Sequence, residues 1–468
     1  MASFTLLVLS LALSVAPASA AEPVDWIWSA GYVVTMDGSR RILEDGAVAV
    51  RGERIVEVGP RAEIDRKYKA ARRLNKPRAV LMPGLIDTHT HAPMVLMRGI
   101  ADDRRLQDWL ENFIFPAEAK NVTADFVKWG TLLACYEMLL SGTTTYTDMY
   151  YFEETIAAAT KQAGVRGVLG QTVIGFPAPD AKTPQEALAR AENFIQQYRN
   201  DPLIVPAVAP HAIYTTPDDV LKASRDLANK YSVPMLIHLS ETKRENEEAL
   251  QKRAMTPTAV LDSIGALSGR TLGAHGVWLE DHDIEILRSR GTGLAHCPSS
   301  NTKLASGIAR VPAILKAGIA MGLGTDGFAG SNNDANLFEE MDLAAKMQKV
   351  KALDPRMLPA KAVLEMATIL GARALGMEKE VGSLEAGKRA DLIVVSLESS
   401  RAVPMYNLIS QLVYALKGED VTDVMVNGRP VVRSRQVLTL NRGEVFAKAR
   451  EYRDRIAKSV GLGTSPIQ

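Results

Sequence analysis

The chain has 468 residues, 47% of them hydrophobic and 23% charged, which suits one large soluble domain with a smaller companion. Its formal net charge is +1 and no long basic or acidic run interrupts it, so nothing favours nucleic acid or an anionic membrane as a partner. The two cysteines, Cys135 in TLLACYEMLL and Cys297 after His296, lie in apolar runs without metal-site spacing and read as small buried hydrophobes.

Residues 1–20, MASFTLLVLSLALSVAPASA, carry an apolar core from Phe4 to about Val15 and then Ala18-Ser19-Ala20, an A-x-A cleavage pattern. The run is short and serine-interrupted for a membrane span, which needs about 20 apolar residues. The expectation is a cleaved signal peptide and an exported, periplasmic or secreted, protein with no membrane contact after cleavage. The leader lacks the usual early Lys or Arg; if it is not a signal peptide, the chain is cytoplasmic.

Residues 22–82 follow with short alternating segments, YVVTMD and GAVAVRGERIVEVG, that read as strands and hairpins. Similar segments return at 380–445, RADLIVVSL and VTDVMVNGRPVVRSRQVL, with Asn427-Gly428 as a turn signal. Neither group can cover its apolar face alone, so the two are expected to pair into one small β-sandwich. Residues 446–468 are left as a C-terminal helix and tail.

The stretch between them, 83–379, alternates β-type runs with amphipathic helical runs such as TADFVKWGTLLACYEMLL and DDVLKASRDLANKYS. The strand candidates are AVLMPGLIDTH, TTTYTDM, RGVLGQTV, LIVPAVAPH, VPMLIHLSE, TLGAHGVWL, TGLAHCPSS and AMGLGTDG. Eight βα units imply a parallel (β/α)8 barrel of the TIM type, an α/β fold. The first βα turn lacks the glycine-rich fingerprint of a doubly wound nucleotide-binding sheet.

Six of the seven histidines fall at ends of these strands. His89 and His91 close the first in DTHTH, where i and i+2 share a face and two imidazoles can meet one metal ion. His211 ends the fourth, His238 the fifth, His275 the sixth and His296 the seventh, and Asp326 ends the eighth. His282, in LEDHD, is the exception and reads as solvated. Any one of these positions has a bland reading, as a core histidine or a helix cap. A ring of imidazoles and a carboxylate at the mouth where barrel active sites form is a metal site. Glu241, three residues after His238, adds a second carboxylate.

PGLIDTHTHAP, HLSET, GAH, HCPSSN and LGTDG, in this order, closely resemble the amidohydrolase superfamily. Within it the chain looks like the branch of methylthioadenosine/S-adenosylhomocysteine deaminases, guanine and cytosine deaminases and triazine hydrolases. The resemblance implies one divalent metal held by His89, His91, His238 and Asp326. It implies that Glu241 shuttles protons to the substrate ring and that His275 holds the metal-activated water. Glu118, in FPAEAK, matches a glutamate that binds ribose hydroxyls, and His211 a substrate-contacting histidine. His296 and Asn301 lie in a motif that is more often structural. Two-metal members bridge their ions with a lysine at the end of strand 4, and LIVPAVAPH has none.

Zinc suits the nitrogen-rich set, and iron or manganese would also fit. The implied reaction is hydrolytic deamination of an adenine nucleoside: methylthioadenosine, adenosine or S-adenosylhomocysteine. Members that take the last often carry an arginine near strand 3 for its carboxylate. Here the polar residue expected at that mouth is Gln171, which lacks the charged fork and favours the tail-less substrates. The alternatives are a triazine or other aminoheterocycle hydrolase on the same site, and a non-catalytic barrel that only binds metal or ligand. A homo-oligomer is compatible with the sequence.

Overall fold

The computed structural model describes residues 21–461. The expected signal peptide lies outside them. Among the described residues no helix is long and apolar enough to cross a membrane.

Eight parallel strands close into a barrel in chain order. They are Leu85–His91, Thr143–Tyr150, Arg166–Val173, Ile204–Pro210, Met235–Leu239, Thr271–His275, Gly293–His296 and Met321–Leu323. The last pairs back onto the first through Leu323 and Asp87, and the short extension Asp326–Gly327 pairs with Thr90 and His91. Alternation divides each strand's side chains between two faces. Met149, Val168, Ala207, Leu236, Leu272 and Ala295 form one cluster that fills the barrel. Leu169, Val208, Ile237, Leu294 and Met321 belong to the larger cluster shared with the helices. The ladder between strands 1 and 2 shifts register between Asp87 and Thr90, so the end of strand 1 departs from strict alternation.

Threonines start several of the outer helices. Thr123, Thr183, Thr242 and Thr256 each accept the backbone N–H three residues on, opening the helices Ala124–Leu140, Pro184–Tyr198, Lys243–Arg253 and Pro257–Ser263. Asn441 does the same for the terminal helix Arg442–Ser459.

The chain ends meet in one continuous eight-stranded sheet. Strand Tyr68–Pro83 joins the two parts, pairing with Glu22–Val34 on one side and Leu392–Ser396 on the other. The sheet bends on itself around Trp28, Val48, Val50, Leu81, Leu392 and Val394. Its far ends touch: at Gly428, φ +76°, a Cβ would lie 2.0 Å from Gly52 O, so only glycine fits the Asn427-Gly428 turn.

A buried ion pair ties this sheet to the bottom of the barrel. Arg166, at the start of strand 3, donates Nε to Asp391 Oδ2 (2.9 Å) and Nη2 to Oδ1 (3.1 Å). The Asn427 N–H also donates to Asp391 Oδ1. Asp391→Ala strands a guanidinium inside protein, and is expected to cost about 3–5 kcal/mol. Urea unfolding of the variant checks this; a loss below about 1 kcal/mol would mean the pair is not structurally coupled.

Candidate metal centre

At the C-terminal mouth of the barrel, ligand atoms of His89, His238, His275 and Asp326 lie within 4.8 Å of one another. His91 joins them, its Nε2 3.3 Å from His238 Nε2 and 3.4 Å from Asp326 Oδ1. His89 Nε2 is 3.2 Å from the same oxygen. The backbone bends sharply to aim two of these groups: His275 has φ +75° and Asp326 φ +64°. Left-handed residues other than glycine cost energy and gather at functional sites.

The outer nitrogens are already committed. His91 Nδ1 lies 2.7 Å from Met149 O and His238 Nδ1 2.9 Å from His211 O. Nδ1 of His275 lies 3.0 Å from Asn301 Oδ1. A carbonyl oxygen only accepts, so Nδ1 carries the proton in each ring and Nε2 turns its lone pair into the site. His89 Nε2 is buried with no hydrogen-bond partner. Burial pushes the His89 imidazole down to about 4 and that of His238 well below its usual range, so both stay neutral donors at neutral pH. Burial works against the Asp326 carboxylate too, but the imidazoles of His89 and His91 close against it hold it ionised, well below the usual value. The neutral imidazoles of His89 and His238, and the ring of His91, which Asp326 raises to about 8 against its burial, converge on an ionised carboxylate with an orphaned nitrogen among them; once His91 gives up its proton this is the donor set of a divalent cation.

The carboxyl of Glu241 stands beside the cluster, 4% exposed, with Oε2 3.9 Å from His275 Nε2. Burial raises its pKa. Its backbone N–H and that of Ser240 donate to the two oxygens of Glu245, at 2.7 and 3.1 Å, which holds the turn after strand 5. Glu118 reaches the same cavity from the helix Phe115–Asn121 and accepts the Tyr150 O–H at 2.6 Å; burial pushes it up to about 7. His211 lines the cavity as well, its Nδ1 2.8 Å from Thr215 Oγ1. Much of the remaining wall is apolar, with Met94, Leu106, Trp109, Leu110, Ile114 and Leu304. The cavity is small, about 60 Å³, and shares Leu106, Leu110, Phe115 and Tyr214 with an outer chamber of about 520 Å³.

One expected contact is not formed. Gln171 does not face the mouth; it is fully buried and its Nε2 donates to Asp180 Oδ2 at 2.9 Å. Strand 3 puts Val168 inside the barrel and Leu169 outside. Gln171 has the parity of Leu169, and its neighbour Thr172 lines the cavity. Sequence reading also missed Tyr150 and Ser300, whose Oγ donates to Asp326 Oδ2 at 2.6 Å. His296 is buried away from the cavity, its ring nitrogens without partners among the described residues, and His282 is exposed. Cys135 and Cys297 are free and buried.

A closed parallel barrel with this cluster at its mouth is the frame of a metal-dependent hydrolase. The chain belongs to the amidohydrolase family, whose model matches residues 80–431. A second model, an imidazolonepropionase-like composite domain from bacteria, matches residues 46–68. The chain is 46% identical to a 5-methylthioadenosine/S-adenosylhomocysteine deaminase of Thermodesulfovibrio yellowstonii, over 93% of this chain and 99% of that one. It is 44% identical to a protein of that name, numbered 1, of Syntrophus aciditrophicus, over 94% and 99%. A zinc-bound adenosine deaminase of Xanthomonas campestris superposes with a TM-score of 0.92 at 41% identity, over 94% of this chain and all of that one. The chain is a hydrolase acting on carbon–nitrogen bonds, a metal-dependent hydrolytic deaminase.

Proposed function

We propose that the chain deaminates adenine nucleosides, 5′-methylthioadenosine and adenosine foremost and S-adenosylhomocysteine as a further substrate, with zinc as its metal. The observation that carries this reading is the shared cavity: Glu118 and His211 line it together with Glu241 and the metal cluster. A base alone gives Glu118 nothing to bind, whereas a nucleoside brings ribose hydroxyls.

His89, His91, His238 and Asp326 would hold the ion, which when bound acidifies a water and makes it a nucleophile at neutral pH. His275 presents the Nε2 lone pair, an acceptor, and so orients the water's proton and its direction of attack. The ionised Asp326 carboxylate is the nearby base. Attack at the amidine carbon of the ring throws electron density onto the adjacent ring nitrogen. Glu241, its proton affinity raised by burial, delivers its proton there as general acid; the proton that Asp326 took from the water passes to the amine, the carbon–nitrogen bond breaks to release ammonia, and Glu241 regains a proton from the added hydroxyl as the carbonyl forms. The apolar wall of Trp109, Leu110 and Ile114 keeps bulk water from the ring. With Tyr150 holding Glu118 Oε1, the other oxygen is left for a ribose hydroxyl. The small inner cavity suits the reacting edge of the base, and the outer chamber leaves room for a 5′ substituent. With Gln171 turned away, the strand 3 residue at the cavity is Thr172, which also lacks the charged fork, and the tail-less nucleosides stay foremost.

Glu118→Ala tests the nucleoside assignment. A lost hydrogen bond to a charged group is worth about 1.5–3 kcal/mol, so KM for every riboside should rise by about ten-fold or more with the metal retained. Steady-state kinetics on adenosine and methylthioadenosine read this out, and unchanged KM values would remove the assignment's main support.

A further inference from the structure

Strand 7 of the barrel, Gly293–His296, lies between strand 6, which ends in His275, and strand 8, which leads to Asp326. The helix Pro298–Lys303 follows it directly. Two consecutive residues of that helix reach to either side. Ser300 Oγ donates to Asp326 Oδ2 at 2.6 Å, and Asn301 Oδ1 accepts from His275 Nδ1 at 3.0 Å. Neighbours on a helix point about 100° apart, which is how one turn serves groups on two strands. Both side chains are wholly buried, so water cannot substitute for these bonds.

The two bonds define the site's geometry. Asp326 has two equivalent oxygens and sits on a left-handed backbone. With Oδ2 engaged by Ser300, Oδ1 is the oxygen beside His89 and His91, at 3.2 and 3.4 Å. The imidazole of His275 has two tautomers, and Asn301 selects the one whose Nε2 is free of a proton.

We propose that Ser300 and Asn301 are positioning residues of the deamination: Ser300 selects the Asp326 oxygen that faces the metal, and Asn301 selects the tautomer of His275. Neither touches the substrate cavity; each acts through the group it holds. The kinetic part of the test rests on the deaminase reading, and the metal and tautomer readouts do not.

Ser300→Ala, Asn301→Ala and Asn301→Asp would be compared with Ser299→Ala, the neighbouring serine, which bonds Glu340 and neither Asp326 nor His275. Each would be loaded with Co²⁺ or Zn²⁺. In Ser300→Ala, release of Co²⁺ to a chelator should quicken about ten-fold or more and the visible absorption of the Co²⁺ form should change. The turnover number should fall about ten-fold with KM within about three-fold, as expected when an interaction of the transition state is lost. Ser299→Ala should release the ion and absorb light as the parent does, even with a lower melting temperature. Selective ¹⁵N labelling of the seven histidines gives a tractable ring spectrum of the zinc form. His275 should be protonated at Nδ1 in the parent and in Asn301→Asp, which keeps an acceptor, and should lose that state in Asn301→Ala. Unchanged release and absorption in Ser300→Ala would overturn the role of Ser300. An unchanged tautomer in Asn301→Ala would overturn that of Asn301. Failure of every nucleoside as substrate, with these two readouts as expected, would refute the substrate reading and leave the positioning roles standing.

Discussion

His89→Ala or His238→Ala is expected to leave the protein without its divalent ion and without turnover, while the parent binds about one ion per chain. His89 Nε2 is a buried nitrogen with no hydrogen-bond partner, 3.2 Å from Asp326 Oδ1. His238 is clamped at Nδ1 by the His211 carbonyl, with Nε2 3.3 Å from that of His91. Each ring is neutral and pre-aimed, so little reorganisation is needed to bind an ion. Removing one ligand of four leaves an incomplete shell and an ionised Asp326 without its counter-charge. The ion supplies several kcal/mol of the barrier reduction, so its loss should slow turnover by about 10³-fold or more. Elemental analysis of dialysed protein, with far-ultraviolet circular dichroism to verify the fold, reads the result. Two tightly held ions per chain would contradict the one-metal site, and full metal content in both variants would contradict the ligand set.

Glu241→Gln is expected to keep the ion and lose the chemistry. The variant preserves the shape of a side chain that is 4% exposed and leaves in place the Glu245 clamp, which grips only the backbone N–H groups of Ser240 and Glu241. What it removes is the proton. General acid catalysis contributes about 10²–10⁴-fold, so turnover should fall by at least about 10²-fold, with KM changed much less. Single-turnover kinetics on metal-loaded protein, with metal content measured alongside, separates the two effects. Near-parental turnover would remove Glu241 as the proton shuttle, and loss of the ion would make it a ligand instead.

The metal cluster was legible because its residues stand at the ends of β-type runs, where chain order alone brings strand ends to one mouth. His89, His91, His238, His275 and Asp326 needed no register, only the barrel. Gln171 needed one. Val168 and Leu169 are both apolar, so the sequence of strand 3 gives no sign of which parity faces inward, and a shift of one residue exchanges Gln171 for Thr172. Tyr150 and Glu118 are 32 residues apart and meet only through the packing of helix Phe115–Asn121 on strand 2. Ser300 was visible within HCPSSN, but its bond to Asp326 depends on the left-handed turn at Asp326, which no side-chain pattern announces. The pairing of the two chain ends could be inferred from their uncovered apolar faces. Their union into one bent sheet came from the central position of Tyr68–Pro83, which periodicity does not reveal.

Hydrolytic deamination of an adenine nucleoside at the metal site must release ammonia. Purified protein loaded with zinc would be given adenosine, 5′-methylthioadenosine, S-adenosylhomocysteine, adenine, guanine and a chlorinated triazine. Ammonia and the ultraviolet shift of adenine to hypoxanthine would be followed together. Equimolar ammonia and inosine-type product are expected from the nucleosides, with loss of both after chelation and recovery on adding zinc. Chloride release from the triazine with no ammonia from any nucleoside, or turnover indifferent to chelation, would contradict metal-dependent deamination.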